Sequence, residues 1–314
     1  MTPTLITTFP TIWDNTMRMS LRSCSRKFFF FVQGYDYATR PSFFVWGEAW
    51  HEILRKWYTI PHSWDTADPG YWEAAAEAIA YGIATWDEAQ IEERGLDKRN
   101  NLELIFMSYL AHYPTEPWNV IDQGAETGWS WPVAGTPYEL GGSLDARIEW
   151  EDYGTLPRED KSSGAYLSDN FVSQWYYSPQ VLNYIWYESQ LTGGDSCLVN
   201  MATKNIPGPR SQWNTPRFHR VIVQADRYIL EEHIEATLHD IAYAKTLWDS
   251  NYFPKTADPT NCVGGIGKSP CLFRDYCRAK AGKNEWIKLD FSQFSSKIVK
   301  RKEAWEPWKR KGGS

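Results

Sequence analysis

The 314-residue chain reads as an α/β protein with a mixed central sheet flanked by helices. Three observations say so. Leu144, Ala146, Ile148 and Trp150 alternate with Asp145, Arg147 and Glu149, which is the period of two of a half-buried strand. The runs 71–95 and 228–248 carry apolar residues at helical spacing. Between them SCLVNMAT, residues 196–203, is an apolar strand with Cys197 as a core residue.

In chain order, residues 11–33 look helical, with Ser20 or Ser23 as a cap, and Pro41 ends that region. A helix then starts near Phe43 and holds Gly47, Trp50, His51, Leu54 and Trp57. Gly47 and His51 are four apart and share a face, so the glycine lets another backbone come close beside an imidazole. Residues 60–115 form a helical insertion. Its first helix is broken near Gly82 and ended by Gly95; its second, NLELIFMSYLAHY, is ended by Pro114. Strands at 120–126, 130–133 and 138–150 form a mostly antiparallel set joined by Gly-Thr-Pro and Gly-Gly turns.

Tyr153-Gly154-Thr155 is a turn, and the next strand, 156–161, puts Glu159 and Lys161 on one face. Such a hairpin brings Asp145, Glu159 and Lys161 to one end of a sheet. Pro157 suits an edge strand or a bulge, because proline cannot donate to a ladder. Asp169 or Asn170 caps a short helix, and Ser178-Pro179 opens a longer one in which Gln180 and Tyr184 share a face. Residues 205–216 are a Pro-rich loop, 217–223 another strand, and 228–248 a strong helix.

Composition bounds the function. With 42% hydrophobic and 16% aromatic residues the chain can build a substantial core, and 18 tryptophans imply that some line surfaces. A net charge of −6 excludes a global basic field, so a nucleic-acid partner needs a local patch. The tail supplies one: 297–311 holds seven Lys/Arg, Lys300 and Arg301 among them, against Glu303 and Glu306. Trp305 and Trp308 are interleaved, which suits charge contact and base stacking; the other reading is a solvated tail. No apolar run is long enough to cross a membrane, and MTPTLITTFPTIWD lacks the pattern of a secretion signal. A reducing cytoplasm is therefore expected.

Two constellations carry chemistry. Asp145 and Glu159 are hard oxygen donors suited to Mg²⁺ or Mn²⁺, and Lys161 beside them can stabilise charge on a phosphate. The bland reading of Arg158-Glu159-Asp160-Lys161 is a solvated turn. In a reducing compartment, Cys262, Cys271 and Cys277, with Cys24 as a fourth, suit zinc or an iron–sulfur cluster. Such a site would staple residues 11–34 to residues 255–285.

Taken in order, these residues resemble the PD-(D/E)XK nuclease superfamily, in its RecB-like branch with an iron–sulfur staple, which includes CRISPR-associated and phage exonucleases. Cys24-Ser25-Arg26-Lys27-Phe28 is similar to that branch's first cysteine and basic-aromatic pair. Gly47 to His51 resembles its G-x3-H helix, Gly142 to Asp145 its G-x-x-D strand, Glu159 to Lys161 its (D/E)-x-K strand, and Gln180 to Tyr184 its Q-x3-Y helix. Cys262, Cys271 and Cys277 follow as the terminal ligands. The chain departs from the pattern in having eight residues between Cys262 and Cys271, where the family usually has two.

The resemblance implies a restriction-endonuclease-like core in a single nuclease domain, 1–314, with a basic tail at 296–314. It implies hydrolysis of DNA phosphodiester bonds, by an exonuclease, with Mg²⁺ or Mn²⁺ at His51, Asp145, Glu159 and the Asp160 carbonyl. Lys161, Asp145, Glu159, Gln180 and Tyr184 would be catalytic. Cys24, Cys262, Cys271 and Cys277 would hold a [4Fe-4S] cluster, zinc being the alternative. DNA, single-stranded or with a free end, would meet Arg26, Lys27, Tyr184, Lys300 and Arg301, and a helicase or recombination protein is an implied partner. The rival readings are a non-cleaving module that binds DNA ends or a partner, and a restriction-type endonuclease.

Overall fold

A computed structural model describes residues 8–121, 127–164, 167–204, 218–264, 270–280 and 285–309. The described chain begins with β1 (Ile12–Trp13), α1 (Asn15–Ser23), α2 (Ser25–Val32), β2 (Tyr35–Tyr37) and α3 (Ser42–Thr59). Next come α4 (Pro69–Glu88), α5 (Arg99–His112), β3 (Trp118–Val120), β4 (Thr127–Pro132), β5 (Glu139–Leu144), β6 (Ala146–Trp150) and β7 (Gly154–Ser163). After α6 (Asp169–Ser173) and a 3-10 turn at Gln174–Tyr177 follow α7 (Pro179–Leu191), β8 (Ser196–Thr203), β9 (Phe218–Gln224) and α8 (Arg227–Asp249). The short α9 (Thr260–Val263), α10 (Arg274–Ala279) and β10 (Ile298–Lys300) end it. No helix among the described residues is long and apolar enough to cross a membrane.

The chain divides into two compact units: Met1–Thr39, Ser130–Gly142 and Glu231–Pro307 form one, and Arg40–Trp129, Ser143–Leu230 and Trp308–Ser314 the other. The second unit is built on a mixed five-stranded sheet of order β3-β6-β7-β8-β9. Only the β7–β8 pair is parallel, running from Arg158↔Leu198 to Ser163↔Thr203. Side chains alternate across each strand. Even-numbered positions of β7 and β8 therefore face α3 and α5, while Glu159, Lys161, Val199 and Met201 face α7. The α3–α4–α5 side shares one core in which Trp46, Trp50, Trp57, Tyr71, Phe106 and Tyr109 are buried, with Ala202 of β8. Burying each such large apolar side chain contributes about 1.5–3 kcal/mol. Arg147 of β6 makes a two-pronged pair with the fully buried Glu188 of α7, at 2.8 and 2.9 Å, fixing that helix to the sheet.

In the first unit the Phe28–Phe31 run on α2 is the core. Phe28 stacks on Trp13, Phe29 meets Phe253 at 4.6 Å, and Phe30 meets Phe273, Tyr276 and Phe291. Asp14 caps α1 by accepting from Met17 N, and its other oxygen accepts from the Trp305 indole at 2.7 Å.

Several sequence expectations need correction. The helix expected over 11–33 is two helices, because Cys24 is extended (φ −171°, ψ 120°), ending α1 and opening α2; Asp14, not Ser20 or Ser23, is the cap. Helix α4 runs straight through Gly82 and ends at Glu88. Glycine serves packing there: a Cβ would lie 2.2 Å from Ile53 Cγ1 and 2.6 Å from the Ala49 carbonyl, so α3 and α4 approach closely only without it. At Gly47, where a close approach was expected, a Cβ would make ordinary contact with Ser162 Oγ at 3.8 Å. Ser168 rather than Asp169 or Asn170 caps α6. The expected strand over 120–126 is described only as far as 121, and the loop at 205–216 lies outside the described residues.

Pro157 sits on a central strand rather than an edge. The Arg147 carbonyl accepts from Ile121, so Arg147 turns its backbone polar groups toward β3, and its partner Pro157 turns its nitrogen toward β8. The β8 register begins at Arg158, one residue later, so the missing donor falls outside that ladder.

Candidate active site

The expected strand over 138–150 is interrupted at Asp145, and that interruption makes the site. β5 ends at Leu144 in a three-stranded sheet, and β6 starts at Ala146 in the five-stranded one. The alternation still holds, with Leu144, Ala146 and Ile148 buried. Past the end of β6, Asp145 Oδ2 accepts from the Asp160 backbone N–H at 2.7 Å. A side chain thus takes over a β7 donor where the β6 ladder stops. A carboxylate is thereby held at the mouth of the β6–β7 hairpin.

Asp145 Oδ1 accepts from His51 Nδ1 of α3 at 3.0 Å. Burial opposes a charged imidazole, but attraction to Asp145, with Asp160 and Glu159 beyond it, holds His51 up to about 9. Burial likewise opposes ionisation of Asp145, but the His51 charge and hydrogen bond, then Lys161, lower it to about 2. Glu159 is buried; burial first, and then the Asp145 charge, push it up to about 7. Lys161 forms an ion pair with Glu159 Oε1. Burial pulls the lysine down, and Glu159 and Asp145 more than offset it.

A relay fixes the lysine. Its Nζ donates to Gln180 Oε1 at 3.1 Å, Gln180 Nε2 donates to the Tyr184 hydroxyl at 2.8 Å, and that hydroxyl donates to the Ser143 carbonyl at 2.8 Å. The spacing that puts Gln180 and Tyr184 one turn apart on α7 thus returns the chain of hydrogen bonds to the backbone just ahead of Asp145. The hairpin therefore gathers His51, Asp145, Glu159, Lys161, Gln180 and Tyr184.

Asp160 belongs to this site by its backbone alone. Its carboxylate points to the other face, accepting from Arg158 at 2.8 and 3.2 Å and from Asn200 at 2.7 Å. Arg158 and Asp160 are almost wholly buried, so the solvated-turn reading of Arg158-Glu159-Asp160-Lys161 does not hold. Sequence reasoning missed the polar network they join. Arg158 lies 4.0 Å over the Tyr58 ring; Tyr58 donates to Glu116; Arg220 reaches Asn200, Tyr109 and Glu116. The legible signal was Asn200 within the otherwise apolar SCLVNMAT.

The other named residues lie in the first unit. Cys24, Cys262, Cys271 and Cys277 are free thiols. Burial pushes Cys277 up to about 11, with Cys24 and Cys271 adding to the rise, and Cys271 is raised by burial and then by Cys24 and Cys262. Cys271 N donates to the Cys262 carbonyl at 3.0 Å. Arg26 is turned inward, donating to the Phe253 carbonyl and to Cys277, and Lys27 lowers Cys271. Lys300 is exposed on β10, whereas Arg301 donates to the Phe31 carbonyl at 2.7 Å and lies over its ring at 4.4 Å. Residues 298–301 of the basic tail are therefore folded against α2 and β2, while Lys297, Lys300, Lys302 and Lys309 stay exposed.

Among the described residues no three His, Cys, Asp or Glu side chains converge as they stand to hold a metal ion. The donor chemistry nevertheless fits the two implied groups. Asp145 and Glu159 are hard oxygen donors, and Glu159 Oε2 is buried without a hydrogen-bond partner. The four thiols are soft donors.

These shifts set a pH dependence. Between the unfolded value of 4.5 and about 7, folded Glu159 keeps a proton that the unfolded chain has released, so stability falls as pH rises through that window. His51 contributes stability below 6.5 that is lost as pH rises through about 9. Asp145 contributes stability above 3.8 that is lost as pH falls through about 2. Metal-free protein is therefore expected to melt several degrees lower at pH 9 than at pH 5, read by scanning calorimetry; a rising melting temperature would contradict the pairings.

No family model matches the chain, and no curated protein sequence matches it. Among the solved structures similar to it are two exonucleases. One is the alkaline exonuclease LHK-Exo from Laribacter hongkongensis, 14% identical, with a TM-score of 0.29 over 65% of this chain and 94% of that one. The other is a phage-related exonuclease from Haemophilus somnus 129PT, 13% identical, with a TM-score of 0.27 over 64% and 92%.

Proposed function

We propose that the chain is a Mg²⁺- or Mn²⁺-dependent deoxyribonuclease, an exonuclease acting on DNA with a free end. The observation that carries this reading is the meeting of Asp145, Glu159 and Lys161 at one hairpin mouth, with the lysine held by the Gln180–Tyr184–Ser143 relay. A divalent ion, when bound, supplies Lewis acidity at the phosphate and an activated water. Asp145 and Glu159 would hold it, helped by the Asp160 carbonyl. His51 orients Asp145, and can itself act as a ligand only as neutral imidazole. Lys161, beside Glu159, would supply positive charge to the phosphate as negative charge develops on it. Gln180 and Tyr184 keep its ammonium aimed.

A second reading has one observation in its favour: Lys161 already occupies the Glu159 oxygen that a cation would take, as a non-cleaving DNA-end binder could tolerate. Incubation with linear and circular DNA, single- and double-stranded, with and without Mn²⁺, separates the readings. Loss of linear DNA alone supports an exonuclease; nicking of circles means an endonuclease; binding without any cut means the module. For the cysteines we assign the soft-metal staple, a [4Fe-4S] cluster with zinc as the alternative. Protein purified without oxygen should be brown and contain iron. Stoichiometric zinc would reject the cluster, and neither metal would reject the staple.

A further inference from the structure

Beside the catalytic lysine lies an aromatic turn that the proposed chemistry does not use. The 3-10 stretch Gln174–Tyr177 reads Gln-Trp-Tyr-Tyr and leads through Ser178 into α7. Lys161 Nζ is 5.6 Å from the centre of the Trp175 ring, and Phe171 backs that indole edge-on at 6.3 Å. The two tyrosines face outward: Tyr176 is 45% and Tyr177 82% exposed. Neither makes a ring contact among the described residues. A 3-10 helix rises about 2 Å per residue, so Tyr177 starts only about 4 Å along the axis from Trp175.

Exposed tyrosines in the same short turn as the indole that lies beside Lys161 are matched by a ligand with flat aromatic faces along a chain of anions. A nucleotide has both, and its phosphate belongs at Lys161. We propose that Tyr176 and Tyr177 are a stacking platform for unpaired bases of the strand whose phosphate reaches Lys161. This rests on the nuclease reading and deepens it by naming the residues that would take the unpaired bases. A base can lie on a side chain only after leaving its paired neighbours. Stacking needs the π face rather than the hydroxyl, and it tolerates any base.

The test is equilibrium binding in EDTA, by fluorescence anisotropy, of a labelled single-stranded oligonucleotide and of an abasic oligomer of equal length. Tyr177→Ala should weaken binding of the base-bearing strand about tenfold and leave the abasic strand unchanged. Tyr177→Phe should bind as the wild type does. The platform is overturned if Tyr177→Ala binds the base-bearing strand normally, if it loses affinity for both strands equally, or if the wild type binds neither. Cleavage with Mn²⁺ is scored separately. Base-dependent binding through Tyr177 without cutting would sink the nuclease reading and keep the platform. Cutting with no Tyr177 effect on binding would do the reverse.

Discussion

Asp145→Ala and Lys161→Ala should each lower DNA cleavage about a thousandfold or more while the protein stays folded. Several kcal/mol of transition-state stabilisation corresponds to that factor. The two losses differ in kind. Removing Asp145 frees the Asp160 N–H and leaves His51 without its carboxylate, so metal affinity and rate should fall together. Removing Lys161 leaves both carboxylates in place, so Mn²⁺ should still bind, as read by calorimetric titration, while the rate collapses. Wild-type activity in either variant would refute the assignment. Gln180→Ala should produce a weaker version of the lysine defect, because it releases Lys161 from the relay without removing its charge.

Asp160→Ala should be the most destabilising single change in the sheet, at about 3–5 kcal/mol, because it strands the Arg158 guanidinium in the core. Arg158 is 1% exposed, so water cannot replace the lost partner. The double change Arg158→Met with Asp160→Leu should recover most of the loss, since a buried pair replaced by apolar side chains is often close to neutral. Asn200 would still have the Tyr109 hydroxyl as an acceptor, at 3.1 Å. Urea unfolding of the three variants checks this. A double variant no better than Asp160→Ala would show that the charge pair is not what the core depends on.

The meeting of Asp145, Glu159 and Lys161 was legible in the sequence because alternation is a strong local signal. Asp145, Glu159 and Lys161 fell on predictable faces of a hairpin whose turn is marked by Gly154, which adopts φ +68°. What stayed hidden was set by tertiary contact. Nothing in the run 138–150 marks Asp145 as a break, because its side chain imitates a ladder partner that lies fifteen residues on. Gly82 reads as a helix breaker until the carbonyl of Ala49 is seen beneath it. Pro157 reads as an edge residue because the point at which β8 joins cannot be inferred locally. The inward turn of Arg158 and Asp160 depends on Tyr58, Tyr109, Glu116 and Arg220, which come from four distant segments.

The bond from Trp305 to Asp14 has a consequence for biosynthesis. The capping residue of α1 gains this partner only once a residue 291 positions further on has left the ribosome. The unit assembled from three separate stretches can then close only after position 305 has been made, whereas Arg40–Trp129 and Ser143–Leu230 can begin to fold earlier on the nascent chain. A stop codon shortly before position 305 would leave that first-made helix unfinished.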